Sequence, residues 1–175
     1  MCRVITFSTK FPSYHFRKGE PTYFVEKFLK SWQIQNGTKG NRRLELHLQN
    51  VLCLEILKEC DPKHTTIRII KKRRWKAGDF FSPRVWGNDV NPKSGRSGAY
   101  HSKQIIIAPD TEIKKVWDID IWMDNCCCHI GIAEGDMTVG LLSFGEVAKN
   151  DGLTFEELKA WFQLKPNAEP IKAQI

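Results

Sequence analysis

A run of basic side chains surrounds a tryptophan between residues 68 and 76. Six of these nine residues are basic, and they are Arg68, Lys71, Lys72, Arg73, Arg74 and Lys76, with Trp75 among them. Such a cluster raises the local concentration of phosphate groups, and an indole offers a flat surface on which a base can stack. The segment therefore predicts binding of RNA or another polyanion. A solvated strand and turn is the alternative interpretation, because basic clusters also serve solubility.

The formal net charge of +7 is divided unevenly along the chain. Residues 1–109 hold 21 Lys and Arg against 8 Asp and Glu, a net charge of +13. Residues 110–175 hold 6 against 12, a net charge of −6. The basic half contains the cluster around Trp75, which supports the preference for polyanions.

Three of the six cysteines are consecutive, Cys126, Cys127 and Cys128, and His129 follows them. No pair has the C-x-x-C spacing of a zinc knuckle. We interpret residues 126–132 as a strand, on which adjacent side chains point in opposite directions and do not easily share one ion. The sequence therefore predicts no metal and no cofactor, and reduced thiols of a cytosolic protein explain all six cysteines.

Residues 61–79, with the sequence DPKHTTIRIIKKRRWKAGD, contain three short features in order. They are Lys63-x-x-Thr66-Ile67-Arg68, a basic stretch, and Trp75-Lys76-x-Gly78-Asp79. Near the other end, AKNDGLTFEEL (residues 148–158) leads into a helix. Together these features resemble the ASCH family (activating signal cointegrator homology), a branch of the PUA-like barrels. The resemblance covers roughly residues 3–11 and 61–163, and it rests on the features in combination.

Some ASCH relatives are small amidohydrolases that remove the acetyl group of acetylated cytidine with a lysine, a threonine and an acidic residue. The resemblance implies Lys63, Thr66 and Asp151 for these roles, although some relatives have glutamate at the acidic position. Thr66 would attack the amide, Lys63 would accept its proton, and Asp151 would orient the lysine. The chemistry is consistent, because a threonine hydroxyl needs a base and a partly desolvated lysine can be one. On an extended chain Lys63 and Thr66 point to opposite faces, so a bend near Pro62 is required.

Further side chains are candidates for contact with RNA or a nucleoside. Arg68 suits a phosphate or a base edge, Tyr14 follows the first strand and can stack on a base, and His64 lies inside the motif. The glycine-rich residues 87–98 are predicted to form a mobile lid. The predicted ligand-binding set is Arg68, Lys71, Lys72, Arg73, Arg74, Trp75, Lys76, Tyr14, His64, Tyr100 and Lys103.

Short elements must position these residues. Apolar spacing predicts helices over residues 22–32 and 44–60, and a last helix capped by Thr154, with Glu157 three residues on. Alternation and β-branched residues predict strands over residues 3–8, 65–70, 80–86, 102–108 and 112–122, and a hairpin of residues 126–132 and 137–142.

Five or six short strands in succession, with helices at the front and back, predict an α+β fold. We expect a small PUA-like β-barrel with helices packed at the N-terminal side and a C-terminal helix. No boundary splits the chain, so we expect a single domain over residues 1–175 with a helical insertion at about residues 20–60. The longest apolar runs are far shorter than the roughly 18–20 residues that cross a bilayer, and the chain starts without the apolar stretch of a signal peptide. We therefore expect a cytoplasmic protein without a membrane partner.

Several functions stay open from the sequence. The leading hypothesis is an ASCH barrel that binds RNA or a nucleoside beside Lys63, Thr66, Arg68 and Asp151, and its enzymatic version hydrolyses the acyl amide of a modified cytidine. The alternative is a non-catalytic RNA-binding module whose basic residues 68–76 give an affinity that falls with salt. Some ASCH relatives are reported as ribonucleases, which is a further alternative. The last alternative is an adaptor that binds other proteins through residues 22–60.

Overall fold

The computed structural model describes residues 2–37, 48, 52–70 and 74–175. Lys71, Lys72 and Arg73 of the predicted ligand-binding set lie outside the described residues. Of the predicted helix over residues 44–60, the positions 44–47 and 49–51 also lie outside them.

The described residues form an α+β fold, which confirms the predicted class. The helices are α1 (Phe24–Asn36), α2 (Leu54–Glu59), α3 (Phe144–Asn150) and α4 (Phe155–Trp161). The strands are β1 (Arg3–Phe7), β2 (Arg68–Ile69), β3 (Phe80–Trp86), β4 (Gln104–Ile106), β5 (Thr111–Glu112), β6 (Asp118–Met123), β7 (Cys128–Glu134), β8 (Met137–Leu142) and β9 (Ile171–Gln174). Within the part of the chain that is described, no helix is both long and apolar enough to cross a membrane.

The chain divides into two units. The first unit comprises Met1–Phe11, Gly19–Pro62 and Asp79–Glu112, and the second comprises Pro12–Lys18, Lys63–Gly78 and Ile113–Ile175. Each contains one of the two sheets. We describe each unit by itself, and a single domain over residues 1–175 stays a prediction.

The first unit contains a four-stranded sheet with β3 at its centre. Strand β1 runs parallel to β3, whereas β4 and β5 pair with β3 in the antiparallel sense. Helix α1 buries Val25, Phe28 and Leu29, whose spacing puts them on one helix face. The Phe28 ring contacts Phe7 of β1 at a centroid distance of 4.9 Å, so the aromatic residues of the sequence form the core here.

The second unit contains an antiparallel sheet in the order β2-β9-β6-β7-β8. Its core includes Ile119 and Ile121 of β6 and Ile130 of β7, all fully buried because side chains two apart on a strand share a face. The predicted hairpin is confirmed as β7 and β8. The predicted cap is confirmed too: the Thr154 side chain accepts the Glu157 N–H, and the Glu157 side chain accepts the Thr154 N–H.

Several predicted elements are shorter in the structure. The strand over residues 102–108 is reduced to β4, Gln104–Ile106. The continuous helix over residues 44–60 is wrong, because Cys53 has extended backbone angles and α2 covers only Leu54–Glu59. The strand over residues 65–70 shrinks to β2, because the N–H groups of Thr65 and Ile67 bind residues 150 and 151 instead of a strand.

The predicted strand over residues 112–122 is divided between the two sheets. Strand β5 pairs with β3 in the first sheet, and β6 pairs with β7 and β9 in the second. Residues 113–117 between them belong to neither strand.

Two elements were missing from the prediction. Helix α3 begins at Phe144 and is capped by Ser143, whose side chain accepts the Glu146 N–H at 3.3 Å, so the Ser-x-x-Glu spacing at residues 143–146 was a usable signal. Strand β9 is only four residues long, and although its residues alternate between apolar and polar, so short a segment does not distinguish a strand from a loop. The expectation that the last helix is the final element is therefore wrong.

Candidate functional site

The second unit buries an ion pair between Lys63 and Asp151. Lys63 Nζ lies 2.5 Å from Asp151 Oδ1, and the two side chains are only 2% and 11% exposed. The same ammonium donates to the backbone oxygen of Asp151 at 2.5 Å, and the Ile67 N–H donates to Oδ1 at 3.2 Å. A buried charge needs this many partners, because the loss of hydration is costly. The structure thus brings together two of the three residues that the resemblance implied.

The pair lies at the C-terminal end of helix α3. Asp151 is the C-cap residue, and the oxygen of Asn150, the last helical residue, accepts the N–H groups of His64 and Thr65 at 2.8 and 3.1 Å. At the C-terminal end of a helix, an ammonium interacts favourably with the helix dipole and can donate a hydrogen bond to a carbonyl that has no partner within the helix. A carboxylate at the same end interacts unfavourably with the dipole. Residues 63–67 therefore close the end of α3, and Lys63 compensates the carboxylate that Asp151 places there.

Burial changes the acidity of the groups around this carboxylate. Burial raises the pKa of Asp151 above its ordinary value, and the charge and hydrogen bond of Lys63, the Ile67 N–H and the charge of Arg68 oppose this only in part. Burial also lowers the pKa of the Arg68 guanidinium, against the charge of Asp151. The Asp151 carboxyl is therefore a better proton acceptor than an exposed aspartate.

Two adjacent threonines lie in this segment. Thr66, the predicted nucleophile, is half-buried, and its main chain lies beside the carboxylate because the next N–H, that of Ile67, binds Asp151. Thr65 differs, because its Oγ1 is buried and has no hydrogen-bond partner among the described residues. Sequence reasoning missed Thr65, which had no signal beyond standing beside Thr66.

The basic segment is attached to strand β9 through Gln174. This buried side chain accepts the Trp75 N–H at 2.7 Å, donates to the Trp75 oxygen at 3.3 Å and donates to Asp118 Oδ1 at 2.8 Å. Strand β2 also pairs with β9, so Arg68 lies opposite Gln174. Gln174 thus positions both ends of the basic segment, and sequence reasoning missed it because β9 was missed.

The described cations of this segment differ in their surroundings. Arg74 is exposed and forms an ion pair with Asp118, while Lys76 is exposed and Trp75 is half-buried. These two cations are in reach of a polyanion in solvent, and the indole of Trp75 is only partly accessible for stacking.

The other predicted contact residues are divided between the two units. Tyr14, in the second unit, is exposed, and its hydroxyl donates to the Trp161 oxygen at 3.3 Å. His64 is exposed in the same unit. Tyr100 and Lys103 are both exposed and belong to the first unit, where the Tyr100 ring lies 5.3 Å from Trp86.

A second cluster with donor atoms lies in the turn before β7. The Sγ atoms of Cys126 and Cys127 are 3.4 Å apart, and these two sulfurs and a carboxylate oxygen of Asp124 all lie within 4.8 Å of one another. The argument that adjacent cysteines diverge along a strand is wrong for this pair, because β7 begins only at Cys128. The neighbouring thiol and the Asp124 carboxylate raise the pKa of Cys126 to about 11.

No protein-family model matches the chain, no curated protein matches it, and no solved structure matches it.

Proposed function

We propose that the chain is an ASCH-type domain of the PUA-like class that binds a cytidine nucleoside and hydrolyses its acetyl amide at Lys63, Thr66 and Asp151. The observation that carries the proposal is the buried pair of Lys63 and Asp151, joined by a 2.5 Å hydrogen bond. Buried, strongly perturbed ionisable groups with a specific charge partner are enriched at functional sites. The resemblance in motifs supplies the reaction class.

In the proposed reaction, the Lys63 ammonium first passes one proton to Asp151 Oδ1 along the short hydrogen bond, which the raised pKa of Asp151 favours, and becomes a neutral amine. Thr66 Oγ1 then attacks the carbonyl carbon of the acetyl group and passes its proton to Lys63 Nζ. The C–N bond then breaks, and the cytidine amine takes up the proton. Water hydrolyses the acetyl ester on Thr66 and releases acetate, so amide and water become amine and acetate.

Incubation with acetylcytidine tests the proposal, with cytidine and acetate as measured products. We expect turnover in the native chain and a loss of at least about a hundredfold in Thr66→Val and in Lys63→Ala, the lower end of what positioned proton transfer contributes. Absence of turnover in the native chain would overturn the enzymatic assignment.

Thr65→Val is the matched control, because it removes the same hydroxyl group one residue earlier. We expect it to keep turnover near the native rate. Full activity in Thr66→Val, or a loss confined to Thr65→Val, would show that Thr66 is not the nucleophile.

A non-catalytic RNA-binding module is the second candidate, and the exposure of Arg74 and Lys76 favours it. Each cation that neutralises a phosphate releases a counterion, so Lys76→Glu should weaken RNA binding and reduce the slope of log affinity against log salt by about 1. Lys165→Glu, at another exposed lysine of the second unit, is the control. Salt-independent RNA binding would exclude this candidate.

A further inference from the structure

We propose that Asp124, Cys126 and Cys127 bind one thiophilic divalent cation of the zinc type. The three residues stand in the turn between β6 and β7, in the second unit. The site is separate in sequence and in chemistry from the buried ion pair, and it does not depend on the proposed hydrolysis.

The spacing of the donor atoms suits one tetrahedral ion. With Zn–S bonds of about 2.3 Å and Zn–O bonds of about 2.0 Å, two sulfurs lie about 3.8 Å apart and a sulfur and an oxygen about 3.5 Å apart. The Cys126 and Cys127 sulfurs are 3.4 Å apart, and the Asp124 oxygen lies within 4.8 Å of both. Closure on an ion therefore needs shifts of only about 1 Å.

The turn already holds its backbone in the shape that brings the sulfurs together. Asp124 Oδ1 accepts the N–H groups of Cys126 and Cys127 at 2.9 and 2.7 Å, and the Asp124 N–H donates to the Cys127 oxygen at 3.0 Å. These bonds reduce the conformational entropy that ligation must otherwise overcome.

The carboxylate also has the outer partner that metal ligands commonly have. His129 Nε2 lies 2.8 Å from Asp124 Oδ2, and its ring stacks on Trp122 at a centroid distance of 5.2 Å. Ligating carboxylates are usually hydrogen-bonded in this way, which fixes their orientation. A carboxylate offers about four acceptor sites, two on each oxygen. Oδ1 already accepts two N–H groups, so Oδ2, which has one partner here, is the oxygen that keeps a site for an ion.

Two thiolates and a carboxylate select the class of ion. Thiolates favour soft or borderline ions such as Zn²⁺ over Mg²⁺ and Ca²⁺, which prefer oxygen ligands. Binding releases the two thiol protons to solvent, because the thiolate is the ligand. Cys126 and Cys127 are exposed, so water can take the fourth position.

Titration of the reduced 175-residue chain with Cd²⁺ alone tests the site, because thiolate ligation gives an ultraviolet charge-transfer band. We expect one Cd²⁺ per chain and displacement by Zn²⁺. Cys126→Ser and Cys127→Ser should each weaken binding at least about a hundredfold. Removal of a residue that only hydrogen-bonds to a metal ligand already costs up to about a hundredfold in metal affinity, and removal of a ligand itself should cost no less. Asp124→Asn should weaken it at least about tenfold while keeping an oxygen acceptor for the two N–H groups.

Cys128→Ser is the matched control, because this neighbouring cysteine lies in β7 and outside the donor cluster. We expect its affinity to stay within about twofold of the native chain, a change of less than about 0.5 kcal/mol. A one-to-one band that persists in the Cys126→Ser/Cys127→Ser double variant would overturn the proposal. An equal loss in Cys128→Ser, or no band in the native chain, would do the same.

Discussion

Lys63 binds two oxygens of Asp151 across a sequence separation of 88 residues, the carboxylate Oδ1 and the backbone oxygen, each at 2.5 Å from Nζ. One lysine therefore neutralises a buried carboxylate and satisfies the carbonyl that follows helix α3. This double contact gives the pair a structural role whether or not it takes part in a reaction. Stability measurements and turnover measurements consequently report on different properties of the same two residues.

The stability of the pair is tested by Lys63→Met, Asp151→Leu and the double variant. Each single change leaves one buried charge without its partner, so we expect a loss of about 3–5 kcal/mol in the free energy of unfolding. The double variant removes both charges and should lose less than the two single variants together. Urea unfolding with linear extrapolation measures all three, and additive losses would show that the pair is not coupled.

Thr65 offers a gain in stability at the same place. Its hydroxyl is buried and makes no hydrogen bond among the described residues, and an unsatisfied polar group costs about 1–3 kcal/mol. Thr65→Val should therefore raise the free energy of unfolding by about 1 kcal/mol. Thr66→Val, which has no such buried orphan hydroxyl, serves as the comparison in urea unfolding. A loss of stability in Thr65→Val would indicate a partner for this hydroxyl that the described residues do not include.

The elements that were predicted well are determined by residues that lie close together in the sequence. Strand β3 has the predicted bounds, and the cap of α4 follows from Thr154 and Glu157 three residues apart. The contact of Lys63 with Asp151 depends on where the end of α3 meets residues 63–67, which no local pattern encodes. Only the resemblance in motifs put the two residues in one site.

The misses have a common physical origin, which is pairing between distant segments. Strand β9 exists because it pairs with β6 and β2, not because its four residues favour a strand. The division of residues 112–122 likewise follows from two different partners, β3 and β7. The contact of Cys126 with Cys127 depends on a difference of two residues in where the strand starts, because β7 starts at Cys128 rather than at Cys126.

The lowered pKa of Glu157 predicts how the free energy of unfolding depends on pH. Burial by itself raises the pKa of Glu157, but the Thr154 N–H and the Arg17 guanidinium outweigh burial and lower it overall. The folded chain therefore binds fewer protons at this group than the unfolded chain, so its contribution to stability is present above the unfolded value and is lost as pH falls. We expect the native chain to lose more stability between about pH 5 and pH 3 than Glu157→Gln does.

Glu156→Gln is the control for this pH dependence, since Glu156 is exposed in the same turn of α4. Urea unfolding at a series of pH values gives the comparison. A Glu157→Gln variant with the same acid dependence as the native chain would contradict the assignment.

Gly131 in β7 has no room for a side chain. A Cβ atom there would lie 2.6 Å from Thr138 Cγ2 and 3.1 Å from the Trp122 ring, and that ring is stacked against His129. Gly131→Ala should therefore lower the free energy of unfolding by about 1–3 kcal/mol through overpacking.

Gly140 in β8 is the matched site, because the nearest atom to its Cβ position, Ile132 Cδ1, is at an ordinary 3.8 Å. Gly140→Ala should change the free energy of unfolding by no more than about 0.5 kcal/mol. Equal effects of the two substitutions in thermal or urea unfolding would show that the contacts with Thr138 and Trp122 do not limit position 131.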